Sequence, residues 1–238
     1  MRGGPVLWAL TAVVWAGAAA AEAAPGVVAA EYLEPTDRYP HGVLGDDLEW
    51  GALRLVRGDG SAVVLRLPEA RVFEDTAPRV EDVTGDGRAE VVVVESDAEL
   101  GARLAIYDGA GDLLAATPHI GTRFRWLAPV GIADLDGDGH VEIAYVDRPH
   151  LAKVLRVWRV RGAGLEEVGS AGGLTNHRIG EADIGGGLRL CGGRVEMITA
   201  SADWARVIAT RLTADGRLES RDMGPHADRE SLAAAMRC

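Results

Sequence analysis

Helical patterning is nearly missing from this chain. Between Glu31 and Ser220 almost no stretch places apolar residues at helical spacing, so an all-β chain is expected. Only Asp228–Arg237 (DRESLAAAMR) has helical character, as a short tail carrying Cys238. Cationic charge is also short: 25 Lys and Arg stand against 36 Asp and Glu, a net charge of -11. Such a surface repels phosphate backbones, so nucleic acid is not an expected partner. Serines are few, at positions 61, 96, 170, 201, 220 and 231, and none sits in a G-x-S-x-G elbow. No H-E-x-x-H occurs. With no activated nucleophile in view, the chain is not expected to be an enzyme. A glycosidase-type pair stays open, since carboxylates distant in sequence can meet in space.

There is one long apolar run, Val6–Val14, behind a positive start at Arg2 and followed by Ala18–Ala21. It is shorter than the roughly 20 residues of a membrane span, and no basic stop-transfer cluster follows. It reads as a secretory signal peptide over residues 1–21, cut after Ala21 because Pro25 disfavours cleavage directly after Ala24. Removing it takes away Arg2 alone, so -11 becomes -12. No second membrane segment is expected. The mature chain is expected as one domain, residues 22–238, in the periplasm or outside the cell, and as a monomer. The two cysteines, Cys191 and Cys238, are the number for one disulfide in an oxidising compartment. Such a bridge pins a C-terminus that would otherwise fray.

What the chain does have is repetition. Acidic loops begin at Asp82, Asp134 and Asp183, 52 and 49 residues apart. Four hairpin-like segments keep step: residues 54–67, 104–115, 155–168 and 208–220. Their turn glycines Gly60, Gly111, Gly164 and Gly216 are 51, 53 and 52 apart. Two signals sharing one period imply four structural repeats. Apolar strands follow the loops: Val91–Val94, Ile143–Val146 and Met197–Ala200. For the second unit the pattern predicts strands at Ala89–Glu95, Arg103–Tyr107, Asp112–Ala116 and Arg125–Ala133. A repeated four-stranded unit of this length predicts a small β-propeller of about four blades. The ring would close when the N-terminal strand Val27–Tyr32 completes the last blade and removes the open edges.

The best-formed loop, ADLDGDGHVEIAYV at Ala133–Val146, sets Asp134, Asp136 and Asp138 at alternate positions and adds Glu142. Gly137 and Gly139 let the backbone curl. Four carboxylates and the carbonyl of His140 supply the oxygens that calcium takes, and magnesium fits less well. An EF-hand needs an acid at position 12, where this loop has Tyr145 and the first copy Val93. In the first copy, EDVTGDGRAEVVVV, position 3 is Thr84. Asp82, Asp86 and Glu90 are the carboxylates, Arg88 takes the carbonyl position, and a weak site and a plain Asp-Gly turn are both open. The copy at Asp183 runs into Gly185, Gly186 and Gly187, and no metal is expected there.

DLDGDGHVE and DVTGDGRAE, each entering a strand at this period, resemble the FG-GAP or VCBS-type repeats of secreted propellers, with loops similar to those of integrin alpha-chain heads. The resemblance implies a blade loop that holds calcium. The family's Phe-Gly before the loop is Val130-Gly131 here, and its usual Asp at position 9 is Glu142 or Glu90. The implied role is a calcium-stabilised, non-enzymatic binding or scaffold module for an unidentified protein or glycan. A calcium-dependent lectin and a polysaccharide or phosphoester hydrolase or lyase are the alternatives. His41, His119 and His177 fall in connecting segments and are expected as solvated loop histidines. Trp50, Trp126, Trp158 and Trp204 could form a carbohydrate platform, but packing between sheets is the better expectation.

Overall fold

The computed structural model describes residues 24–238, together with Met1. The expected signal segment and its cleavage point lie outside the described residues. The described residues are all-β, with seventeen strands and one short helix among them. Among the described residues no helix is long and apolar enough to cross a membrane.

The first sheet holds β1 (Val27–Thr36), β2 (Glu49–Arg57), β3 (Ala62–Arg66), β4 (Arg71–Phe73), β5 (Arg79–Glu81), β6 (Glu90–Asp97), β7 (Gly101–Tyr107) and β8 (Leu113–Ala116). It has two halves. β1 and β3 flank β2, while β4 and β5 lie end to end along β6, followed by β7 and β8. The short β4 joins the halves by pairing with both β2 and β6. The second sheet is an antiparallel set of β9 (Leu127–Ala133), β10 (Glu142–Asp147), β11 (Val154–Arg161) and β12 (Gly164–Gly172). The third holds β13 (Leu174–Thr175) and β14 (Gly187–Cys191) end to end along β15 (Arg194–Ser201), then β16 (Arg206–Leu212) and β17 (Leu218–Pro225). The helix α1, Arg229–Ala235, is capped by Asp228, whose carboxylate accepts from Ser231 N.

The repeat is visible in the strands: β6, β10 and β15 start at Glu90, Glu142 and Arg194, 52 residues apart each time. The four hairpins form as expected, as β2–β3, β7–β8, β11–β12 and β16–β17. The unit boundary differs from the sequence expectation. The strand before each acidic loop pairs with the strand after it, so Leu127–Ala133 belongs with β10 and not with β6–β8. A tight loop between two strands enforces this antiparallel pairing.

The apolar runs are explained by two-sided burial. On β6, Val91 and Val93 pack with Leu53, Leu55 and Phe73, while Val92 and Val94 face Leu104, Trp126, Ile143 and Tyr145. On β10, Ile143 and Tyr145 share that second cluster, and Ala144 and Val146 face Leu155, Leu174 and Met197. On β15, Met197 completes this layer and Ile198 turns to Val207, Ala209 and Leu232. Each of these strands thus has a packed layer on both faces, and each fully buried Val or Ile contributes about 1.5–3 kcal/mol. The approach is close at Gly131 on β9, where a Cβ would lie 2.4 Å from Leu188 Cγ on β14.

The closing strand expected from the sequence is not formed. β1 pairs with β2 from Ala29↔Val56 to Thr36↔Glu49, and the last sheet has its own first strand in β13 and β14. Its outer face is covered by Leu232, Ala235 and Met236 around α1. The ends of the stack meet through loops instead: Gly180 N donates to Val43 O at 3.0 Å. Cys191 and Cys238 form the expected disulfide, 47 residues apart in sequence with Cα atoms 5.7 Å apart, and so hold the chain end against β14.

Buried acids collect where the connecting segments meet. Glu49, Glu74 and Asp75 are at most 2% exposed. Asp75 pairs with Arg79 at 2.5 Å, and Glu74 with His41 at 2.5 Å. Glu49 has no cationic partner among the described residues, and burial with the nearby charges of Glu74, Asp46 and Asp75 pushes its carboxyl up to about 9.

Two predictions follow from the fold. Replacing Cys191→Ser and Cys238→Ser together lowers the unfolding free energy by up to about 4 kcal/mol, read by urea denaturation. An unchanged midpoint would show that the C-terminal tail adds nothing. The raised carboxyl at Glu49 binds its proton more tightly folded than unfolded. Its stabilising effect is therefore complete below the unfolded value and drains away as pH rises towards about 9. Glu49→Gln should flatten the fall in stability between about pH 5 and about pH 8, by up to roughly 1 kcal/mol per pH unit. Parallel pH profiles for wild type and variant would refute this.

Candidate metal centre

The two well-formed loops share one hydrogen-bond framework. At Asp134, Oδ1 accepts from Gly137 N at 2.7 Å and Asp138 N at 3.1 Å, and Oδ2 from Gly139 N at 2.9 Å. At Asp82 the same three bonds come from Gly85, Asp86 and Gly87 at 2.7, 3.2 and 2.8 Å. The glycine pairs sit at positive φ, +83° and +87° at Gly137 and Gly139, and +76° and +84° at Gly85 and Gly87. The position-9 glutamate closes each loop. Glu142 accepts from Leu135 N at 2.8 Å, and Glu90 from Val83 N at 3.0 Å. The first carboxylate builds the turn and the last ties it to the strand behind.

In the first loop Asp82, Asp86 and Glu90 each bring a carboxylate oxygen within 4.8 Å of the others. Thr84 Oγ1 lies 3.4 Å from both Asp82 Oδ1 and Glu90 Oε1. The Arg88 side chain turns back onto Asp86 at 2.5 Å, at the exposed rim. Burial raises the Glu90 carboxyl, and the charges of Asp86 and Asp82 raise it further against the pull of the Val83 N–H. Three crowded acids with one already resisting ionisation are a donor set that a hard divalent cation fits.

The second loop differs from expectation. Asp134, Asp136 and Asp138 converge within 4.8 Å, but Glu142 is not one of this group. Its other oxygen takes Nε of Arg159. The same guanidinium donates Nη1 to Asp138 at 2.8 Å and Nη2 to Asp136 at 3.2 Å. Arg159 is placed by register, since β11 sets it directly opposite Glu142. Burial raises the Glu142 carboxyl, while the Leu135 N–H and Arg159 pull it down. The His140 N–H, with help from Arg159, lowers Asp138. His140 adds its backbone N–H to Asp138 at 2.9 Å, and its side chain is exposed. The third copy is a different structure, with Asp183 paired to Arg229.

The histidine expectation is corrected. His177 is fully buried, its Nδ1 3.0 Å from His150 Nε2, and His41 is half-buried against Glu74. His119 Nδ1 contacts Gly101 O at 2.8 Å. The connecting segments fold inward over the sheet ends, so their side chains leave solvent. Packing is confirmed for Trp126, which is 2% exposed and donates Nε1 to Glu74 O at 2.8 Å. Sequence reasoning missed Arg159, Glu74 and His150. For Arg159 the signal was its place in the hairpin after the loop; Glu74 and His150 carry no motif.

The FG-GAP-like repeat family matches residues 82–145, from the first aspartate of one loop to the strand behind the other. No curated protein matches the chain. Among solved structures it is similar to the V. cholerae biofilm matrix protein Bap1, at 11% identity and a TM-score of 0.25. That similarity covers 78% of this chain and 33% of Bap1, so the chain spans a third of that protein's length.

Arg159→Gln tests its place among the acids. It leaves Asp136, Asp138 and Glu142 without their cation, and the chelated protein should lose about 3 kcal/mol. Added calcium should then restore more stability than it gives wild type. Equal calcium responses in the two proteins, by thermal melting, would show that Arg159 does not compete with the ion.

Proposed function

We propose that the chain is a calcium-stabilised β-propeller, secreted or periplasmic, that serves as a non-enzymatic binding or scaffold module. The observation that carries the calcium reading is the duplicated loop, in which one framework of N–H donors gathers three carboxylates twice. The Asp82 loop, held by Asp82, Asp86 and Glu90, takes the ion more readily, because no buried guanidinium neutralises it. The Asp134 loop, through Asp134, Asp136 and Asp138, takes it in competition with Arg159. The cation would supply charge neutralisation and crosslink the loop to its strand.

The propeller reading is supported by the 52-residue strand repeat and by sheets packed face to face in sequence order. The disulfide and the lack of a membrane-crossing helix among the described residues are compatible with export. A non-enzymatic role is supported by the cluster in which Ser96, His41 and Glu74 meet. Ser96 is fully buried and donates to Glu74, while His41 approaches the other oxygen of that carboxylate. A hydrolytic triad needs the serine on the histidine itself.

Metal content and melting with and without chelator test the proposal. With an affinity of about 0.1 mM per loop, about 1 mM calcium adds roughly 1.4 kcal/mol per occupied site. That corresponds to about 3–5 °C in Tm for a domain of this size. Asp82→Ala should remove most of the wild-type response and Asp134→Ala less. A melting point indifferent to chelator and calcium would sink the reading.

A further inference from the structure

A second feature lies away from the acidic loops, where the segments joining β1 to β2, β8 to β9 and β10 to β11 converge. His41, Phe124, Arg125, Trp126, Arg148 and His150 line a shallow, solvent-open crevice with a cavity volume of about 20 Å³. We propose that this crevice binds one oxyanion group, the carboxylate or phosphate end of a small ligand, at its open mouth, with the Arg125 guanidinium and, in the doubly protonated imidazolium form, His41 Nε2 as its donors.

His41 is held in one orientation. Its Nδ1 lies 2.5 Å from Oε1 of the fully buried Glu74 and donates to it, which commits that nitrogen. The other oxygen of Glu74 takes Ser96 Oγ, and its carbonyl takes Trp126 Nε1. The imidazole lies on the Phe124 ring, centroids 5.1 Å apart and planes 18° from parallel. Nε2 is the one ring nitrogen left for a ligand.

The arginines around it are of two kinds. Arg148 is clamped on Asp147 by bonds of 2.8 and 3.0 Å. Arg125 spends one N–H on Phe124 O at 3.0 Å, and among the described residues no carboxylate pairs with it. Arg123 rests over the Phe124 ring at 4.4 Å, also without a carboxylate. In a chain of net charge -11, most arginines find an acid, as Arg79, Arg103, Arg156, Arg159 and Arg189 do. Cations left over at one crevice have a charge to meet that the chain does not supply.

The backbone adds an independent observation. Phe124 and Arg148, both lining the crevice, hold φ of +56° and +46°. A bulky residue there costs of order 1–3 kcal/mol, and such strain persists where surrounding structure fixes a functional geometry. The enclosed space admits one oxygen of such a group, about the size of a water, and not a sugar ring, because Trp126 closes the floor.

The test is calorimetric titration of the calcium-saturated chain with methyl phosphate, acetate and, as an uncharged control, trimethyl phosphate. Saturable one-to-one binding of either anion, weakened at least tenfold by Arg125→Gln and by His41→Gln, is expected. Arg194→Gln, a cation on the third sheet, should leave it unchanged. Preference for methyl phosphate identifies a phosphate end, and preference for acetate a carboxylate end. Because His41→Gln can disturb Glu74, Arg125→Gln with an unaltered melting point is the deciding variant. No saturable binding, equal binding of trimethyl phosphate, or binding that Arg125→Gln leaves intact overturns the proposal. None of these outcomes depends on which acidic loop holds calcium.

Discussion

The two-sided burial of β6, β10 and β15 is the constraint on which everything else hangs. A strand whose alternate side chains enter two different packed layers cannot sit at the edge of the molecule. Val91 and Val93 look one way and Val92 and Val94 the other, so β6 fixes a neighbouring layer on each face. The same holds for Ile143 and Tyr145 against Ala144 and Val146. Layers then stack in sequence order, and a one-residue slip in register would exchange both sets at once. The last strand shows what happens when the series stops. Among the described residues no further sheet covers Ile198; Leu232 from a capped helix does, and Cys238 ties that helix's end to β14.

The acidic loops are a consequence of that stack. Each must turn the chain within nine residues into a buried strand, and turns of that tightness need backbone N–H groups satisfied without a ladder. Asp134 and Asp82 do this with both oxygens, and Glu142 and Glu90 anchor the turn to the strand. Cation binding and turn formation thus draw on the same carboxylates.

Much of this was legible in the residues. The period, the hairpins and the converging aspartates of the loops were carried by local spacing, which side-chain alternation and turn chemistry report directly, and the disulfide by there being two cysteines. Cross-strand partners were not. That Arg159 faces Glu142, and that Val27–Thr36 pairs with β2, depends on register between strands, which no local pattern encodes. The inward histidines failed for a related reason. His177 lies in a polar connecting segment that reads as solvated, yet the packing of neighbouring layers draws that segment over the sheet ends, where Trp126 and His150 enclose it. Glu74 is buried by the same convergence, and its neighbours in sequence give no sign of it.

The contrast between the two loops is best understood from the residue across the ladder. Arg159 stands on β11 opposite Glu142 and brings a positive charge into the second loop. The first loop has Asp108 just past the end of β7, where Val91 pairs with Tyr107, and Asp108 spends its carboxylate on the turn N–H groups of Ala110 and Asp112. One loop carries a buried tethered cation, while the other has only Arg88 at its exposed rim and lies beside a further acid. A guanidinium fixed on a strand costs no translational entropy to recruit, whereas an ion from solution must be captured and partly dehydrated. On the calcium reading proposed above, the loop with the fuller set of aspartates is therefore the less dependent on the ion, and the loop with Thr84 at position 3 has the greater use for it.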